Sequence, residues 1–320
     1  MKARLAGRGA AVQAVVEGPF WLAWLLLPLA ATGMVVGMTL PADSHVHSEY
    51  SWDAGSDPAS VGSMRRTCAR AELIGLPAIV FTEHLDFEDR WLVGEGDLGS
   101  HAGVLVDEDN YVRLPTFDLD GYLDSIERCR HDFPSVQIMT GVEFGQPHLW
   151  ADAAAAILGS GEIDRVNGSL HMLPFRGEDR TEPVTLYRHR PPAEVMWAYL
   201  EEIPRMVAGS DLFEVFTHID YAARTWPADV AGPFNPREFE EGFRTAMRAI
   251  ADSGRALEMN TRRLWPWIPQ WWAEEGGRAV TFGSDAHSAE GLAAGFPEAA
   301  AMLEYFDFRP GRHSEDFWTR

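Results

Sequence analysis

The segment DSHVHSEYSWD, residues 43–53, sets two histidines two positions apart at the end of a short strand-like run, Ala42 to Val46. On an extended chain such positions share a face, so His45 and His47 can hold one ion between them. Working outward, six more strand-like runs follow: Ala78 to Thr82, Val136 to Val142, Ile163 to Leu170, Leu212 to Thr217, Ala256 to Met259 and Ala279 to Gly283. Segments of better helix formers separate them, the alternation expected of an α/β chain with a largely parallel sheet.

Nearly every run leads into a residue type that binds metal. The first is flanked by Asp43, the second leads to Glu83 and His84, the third to Glu143 and the fourth to His171. The fifth leads to His218 and Asp220, the sixth carries Glu258 and Asn260, and the seventh ends in Asp285 and His287. In a β/α barrel the C-terminal strand ends share one mouth, so these residues are predicted to meet there. Six of the 11 histidines fall at such ends, which random placement would rarely produce. Imidazoles and carboxylates without thiolates suit Zn²⁺, Mn²⁺ or Fe²⁺ better than Mg²⁺ or Ca²⁺. More than five ligands imply more than one ion, and a carboxylate such as Glu143 can bridge two. Paired ions acidify a shared water and clamp both oxygens of a phosphoryl transfer, which makes hydrolysis the expected reaction class.

Composition narrows the field further. The 320 residues, 46% hydrophobic and 23% charged, read as one large globular domain, residues 38–320. A formal net charge of -21 argues against nucleic acid or an anionic membrane as partner. Cys68 and Cys129 form no CxxC pattern, so neither a disulfide framework nor a thiolate zinc site is expected, and a reduced cytoplasmic setting fits. Asp57, Pro58, Gly75 and Pro77 delimit a helix between the first two strands. Residues 91–116 and 174–192 read as long loops on one face. Residues 1–37 form an apolar extension. Lys2, Arg4 and Arg8 precede an uncharged stretch from Pro19 to Pro41, the layout of a signal peptide or membrane anchor. The alternative is a physiological start at Met34 or Met38, with an extension that the fold does not use.

Taken together, DSHVHSEYSWD at 43–53, FTEH at 81–84, GVEFG at 141–145, GSLH at 168–171, FTHID at 216–220, LEMN at 257–260 and GSDAH at 283–287 resemble the PHP family, the polymerase and histidinol phosphatase domains. The resemblance runs from about Ala42 to Gly295. It implies a single distorted (β/α)7 barrel with two to three divalent ions at the C-terminal ends of the strands. His45, His47, Glu143 and Asp285 would hold the first ion, Glu143, His171 and His218 the second, and Asp53, His84 and His287 the third. Glu143, Asp285 and His218 would then carry the catalysis, and Asp43, Glu83 and Asp220 would orient ligating imidazoles. Similarity is greatest to the histidinol-phosphatase branch, which implies L-histidinol phosphate as substrate. The chain departs from that branch after Asn260 and after His171, which bears on the substrate and not on the metal chemistry.

A phosphate monoester needs cationic donors, and Arg176, Arg262 and Arg263 each closely follow a metal-motif strand. Trp265, Trp267, Trp271 and Trp272 fit either a substrate wall or, more commonly, core packing. Three rivals stand beside the phosphatase. A nuclease or phosphodiesterase of the same family gains little from the acidic charge. An amidohydrolase would want a bridging lysine where Glu143 stands. A non-catalytic domain would tend to have lost ligands. Oligomeric state is not legible.

Overall fold

A computed structural model describes residues 40–55, 63–98 and 102–320. The extension 1–37, both alternative start sites and the helix-start signals Asp57 and Pro58 lie outside the described residues. No helix among the described residues is long and apolar enough to cross a membrane.

The strands are β1 (Asp43–Val46), β2 (Ala78–Leu85), β3 (Gln137–Gly145), β4 (Arg165–Ser169), β5 (Leu173–Pro174), β6 (Arg180–Thr181), β7 (Val215–Phe216), β8 (Ala256–Asn260), β9 (Ala279–Gly283) and β10 (Trp318–Thr319). Seven of them, β1-β2-β3-β4-β7-β8-β9, lie parallel in one curled sheet, and β10 adds antiparallel to β9. The ring is sealed where the chain leaving β9 meets β1. Asp285 N donates to His45 O at 2.8 Å, and His47 N donates to Ala286 O at 2.9 Å. The result is the distorted (β/α)7 barrel, with one short antiparallel strand added to its wall.

These strands are buried on both faces, as apolar parallel strands are when helices cover them. The covering helices read as amphipathic. Ser63–Ile74 buries Met64, Thr67, Cys68 and Ala71, and Glu240–Asp252 buries Phe243, Ala246, Met247 and Ile250, the spacing of one helical face. Gly75, at φ +70°, ends the first of these in the left-handed conformation that glycine adopts without strain.

Several boundaries differ from the sequence reading. β2 and β3 run on to Leu85 and Gly145, so Glu83, His84 and Glu143 stand on strands and not beyond them. In-register pairing of His84 with Glu143 extends the ladder through these polar positions. β7 is shorter than predicted, Val215–Phe216 in place of Leu212 to Thr217. Residues 91–116 and 174–192 are not plain loops. Leu92 N donates to Arg180 O and Arg180 N to Arg90 O, tying the two insertions together, and Trp91, Val93, Leu98, Leu105, Val112 and Met172 form a small core of their own.

Candidate metal centre

All nine predicted ligands meet at the barrel mouth. Glu143 lies at their centre and divides its two oxygens between two groups of imidazoles. Its Oε1 is 2.7 Å from His218 Nε2 and 3.0 Å from His171 Nε2. Its Oε2 is 3.2 Å from His45 Nε2, 3.4 Å from His47 Nε2 and 3.4 Å from His84 Nδ1. Asp53 Oδ2 reaches His287 Nε2 at 2.6 Å and His84 Nε2 at 3.3 Å. Asp285 Oδ1 stands 3.6 Å from His47 Nε2, while its Oδ2 takes Arg224 at 3.1 Å. Asp285 holds φ +54°, a left-handed turn that aims the carboxylate back into the mouth just after β9.

Whether this set fits metal can be tested on its hydrogen bonds. His45 Nδ1 donates to Glu258 Oε1 at 2.6 Å, so Nε2 is the ring nitrogen turned to the mouth. His47 Nδ1 donates to Ser51 Oγ at 2.9 Å, because Ser51 gives its own hydrogen to Glu83 at 2.7 Å, and this leaves a lone pair on Nε2. Those two nitrogens face each other at 3.1 Å with Glu143 Oε2 beside them. Against burial, Glu258 and Glu143 favour a proton on His45 while His47 stays neutral, so the contact is a shared proton whose place a metal ion could take. Asp53 Oδ1 and Asp86 Oδ1 are also buried without a hydrogen-bond partner. Buried polar atoms are normally paired, so unpaired carboxylate oxygens gathered at one mouth fit metal ligation. Four groups bring their ligand atoms within 4.8 Å of one another: His47, Asp53, His84, His287; His45, His47, Asp285; His45, Glu143, His218; and His84, Asp86, His171.

The charges respond accordingly. Burial alone would raise the Glu143 pKa, but His45, His84 and His171 outweigh it and hold the carboxyl well below the usual range. Burial opposes a proton on His171, yet Glu143 and Asp86 raise its pKa to about 9. His47 goes the other way, pushed down by burial and by His287 and His84.

The family of this fold follows from the match of residues 43–262 to the PHP domain. The chain belongs to the PHP domain family. A "Probable histidinol-phosphatase" of Clostridium acetobutylicum is 28% identical to this PHP chain over 224 residues, 66% of this chain and 84% of the relative. Another of that name, from Thermotoga maritima, is 24% identical over 274 residues, 83% and 92% of the two chains. Among solved structures, the histidinol phosphate phosphatase (HISK) of Lactococcus lactis subsp. lactis Il1403, complexed with zinc, L-histidinol and phosphate, superimposes with a TM-score of 0.64 at 22% identity. The match covers 87% of this chain and 98% of that one.

Some expected roles move to other residues of the PHP barrel. Asp43 does not orient an imidazole, because it accepts from Ser284 N at 2.9 Å and Ala293 N at 3.0 Å and ties β1 to the chain after β9. Asp220 bonds Arg224 and Trp265, and Glu83 reaches His47 only through Ser51. Imidazoles are oriented directly by Glu258, on His45, and by Asp86, 3.2 Å from His84 Nδ1. Gly283 and Gly145 make room for these two carboxylates, since a β-carbon at either position would collide with Glu258 or Asp86. Buried Gln146, at φ +49°, accepts from His171 N at 2.7 Å and fixes the loop that carries that ligand.

A cavity of about 660 Å³ opens over the centre. Arg262 and Arg263 line it, but Arg176 does not. It is exposed at the turn between β5 and β6, with its guanidinium 4.5 Å from the Phe175 ring. The cation that sequence reasoning missed is partly buried Arg224, six residues after His218, which lines the same cavity. The four tryptophans of 265–272 serve packing: Trp267, Trp271 and Trp272 are buried in the main core, Trp265 packs against it, and Trp52 and Trp91 form the aromatic wall of the cavity.

Proposed function

We propose that this PHP chain is a metal-dependent phosphatase that converts L-histidinol phosphate and water to L-histidinol and phosphate. The observation that carries the reading is the position of Glu143, whose two oxygens each face a different set of imidazoles, as a carboxylate bridging two ions would. Two to three ions of Zn²⁺, Mn²⁺ or Fe²⁺ would be held: the first by His45, His47, Glu143 and Asp285, the second by Glu143, His171 and His218, the third by Asp53, His84 and His287. When bound, such ions supply an acidified water and neutralise charge on the phosphoryl oxygens.

The chain's own groups do the rest. Arg224, 3.1 Å from Asp285, and Arg262, 3.6 Å from it, place guanidinium donors beside the phosphate position, with Arg263 on the same wall. Asp285 stays ionised, since burial is outweighed by His45 and Arg224, so it acts as a ligand and not as a proton donor. Trp52 and Trp91 add aromatic surface to the same cavity. The relatives support the substrate class: two are named histidinol-phosphatases, and the Lactococcus enzyme holds zinc, L-histidinol and phosphate together. Cys68 and Cys129 are free thiols, and a cytoplasmic setting is part of the proposal.

The test is phosphate release by the full chain loaded with Mn²⁺ or Zn²⁺, comparing L-histidinol phosphate with a panel of monoesters and diesters. A chelator-sensitive preference for L-histidinol phosphate, abolished in His171→Ala and Glu143→Ala, is the expected outcome. Turnover of another ester alone replaces the substrate, and inactivity on every ester removes the phosphatase reading.

A further inference from the structure

Asp220 and Trp265 do not line the cavity, yet both are committed to one of its cations. Asp220 stands at the N-cap of the short helix Tyr221–Arg224, where an aspartate normally accepts from backbone N–H groups of the first turn. It makes no such bond. Instead its Oδ1 lies 3.4 Å from Arg224 Nε and 3.3 Å from Nη2, and its Oδ2 accepts from Trp265 Nε1 at 3.1 Å. This buried carboxylate forgoes its local cap in favour of two side chains.

Arg224 needs such a partner, because its Nη1 is drawn to Asp285 Oδ2 at 3.1 Å. A guanidinium left with Asp285 alone would pair with it through two nitrogens, the fork geometry that carboxylates favour, and present fewer donors to the cavity. Held by Asp220, it reaches Asp285 through Nη1 only, and Asp285 keeps Oδ1 on the side of His47, 3.6 Å away. Trp265 completes the frame. It belongs to the stretch after Asn260, where the chain departs from the histidinol-phosphatase branch. Its ring packs edge-on against Phe234, with centroids 6.1 Å apart, and the Arg263 guanidinium lies 5.4 Å from its centroid. Arg263 Nη1 also donates to Ala223 O at 3.4 Å, so residues 263–265 grip Asp220 and the helix that carries Arg224 at two points.

We propose that Asp220 and Trp265 are positioning residues, which fix Arg224 with its donors toward the phosphate of the ester and touch no substrate themselves. The inference deepens the phosphatase reading and rests on it for the identity of that phosphate. Arg224 is shared between two carboxylates, so the one behind it sets how far it yields to the one in the metal centre. The effect of Asp220 on turnover therefore passes through Arg224 alone.

A double-mutant cycle on the full-length, metal-loaded chain tests this, with kcat/KM on L-histidinol phosphate and calorimetric binding of inorganic phosphate as readouts. Asp220→Ala is expected to lower both at least about tenfold with metal content retained, the scale for losing hydrogen bonds to a charged group. In the Arg224→Ala background the same substitution is expected to cost less than about twofold, because residues that act through one another are not additive. Trp265→Phe keeps the ring and removes only the donor, and is expected to cost about threefold to fivefold, again only where Arg224 is present. It decides the matter should Asp220→Ala not fold. Equal losses in both backgrounds, or no loss in either variant, overturn the positioning role and leave the phosphatase reading standing. If no ester is turned over but phosphate binding shows the same dependence on Arg224, the phosphatase reading fails and the positioning role stands. A wild-type chain that neither turns over an ester nor binds phosphate overturns both.

Discussion

His45 and His47 point their Nε2 atoms at each other across 3.1 Å, each with its Nδ1 already committed to a neighbour. With Glu143 Oε2 beside both, the two nitrogens offer a bound ion three ligand atoms that only the folded barrel brings together. Chelation is therefore expected to lower Tm, and Zn²⁺ or Mn²⁺ to restore it. A site filled at a thousand times its Kd stabilises by about 4 kcal/mol. Scanning calorimetry with and without chelator checks this, and an unchanged Tm would count against a cation site.

Metal loading also displaces protons. His171 is held up to about 9 because Glu143 and Asp86 outweigh burial, so at pH 8 the metal-free chain carries that proton and must release it to ligate. A raised pKa favours the protonated, metal-free state below about 9, so apparent affinity is expected to fall as pH drops from 9 toward 6. Titrations in buffers of different ionisation enthalpy would detect the release. Heats independent of buffer would contradict it.

Glu258 supports two parts of the centre, His45 through Nδ1 and the backbone N–H of His218 at 2.7 Å. Glu258→Gln is expected to lower metal affinity by about 10- to 100-fold, as loss of partners behind a ligand does. Asp220→Asn, which touches no imidazole, is expected to lower it less. Competition with a chromogenic chelator would rank the two.

Arg224→Ala is expected to cut kcat/KM by about a hundredfold or more with metal content retained, the scale for removing one charge-stabilising donor. Arg176→Ala, at the exposed β5–β6 turn, is expected to change activity little. Steady-state kinetics beside metal analysis would separate them, and a larger effect at Arg176 would reverse the assignment of the two arginines.

Away from the mouth, Phe243 lies fully buried with its ring centroid 4.6 Å from that of Trp267. Phe243→Ala is expected to cost about 3–5 kcal/mol in stability. Denaturant unfolding of the metal-free chain measures it. A loss below 1 kcal/mol would mean that the helix Glu240–Asp252 packs less tightly than its buried face indicates.

Much of this was legible because metal-binding residue types recur where apolar runs end. His45, His84, Glu143 and His287 needed no three-dimensional information to be suspected. Asp86 escaped because an aspartate two residues after His84 is indistinguishable in sequence from an ordinary loop residue. Its role depends on Trp52 and His84 arriving from separate segments. Arg224 escaped for the same reason, since its partner Asp285 is 61 positions away. β10 is two residues long, too short to leave a periodic signal. Arg176 misled because closeness in sequence to His171 did not survive the β5–β6 turn, which carries it outward.

The seam of the ring joins chain segments far apart in time as well as in sequence. Ser284 N closes onto Asp43, 241 positions earlier, so during synthesis His45 and His47 leave the ribosome long before Asp285 exists. The group His45, His47 and Asp285 is complete only once that last segment has been translated. The complete set of candidate ligands therefore exists only in the finished chain.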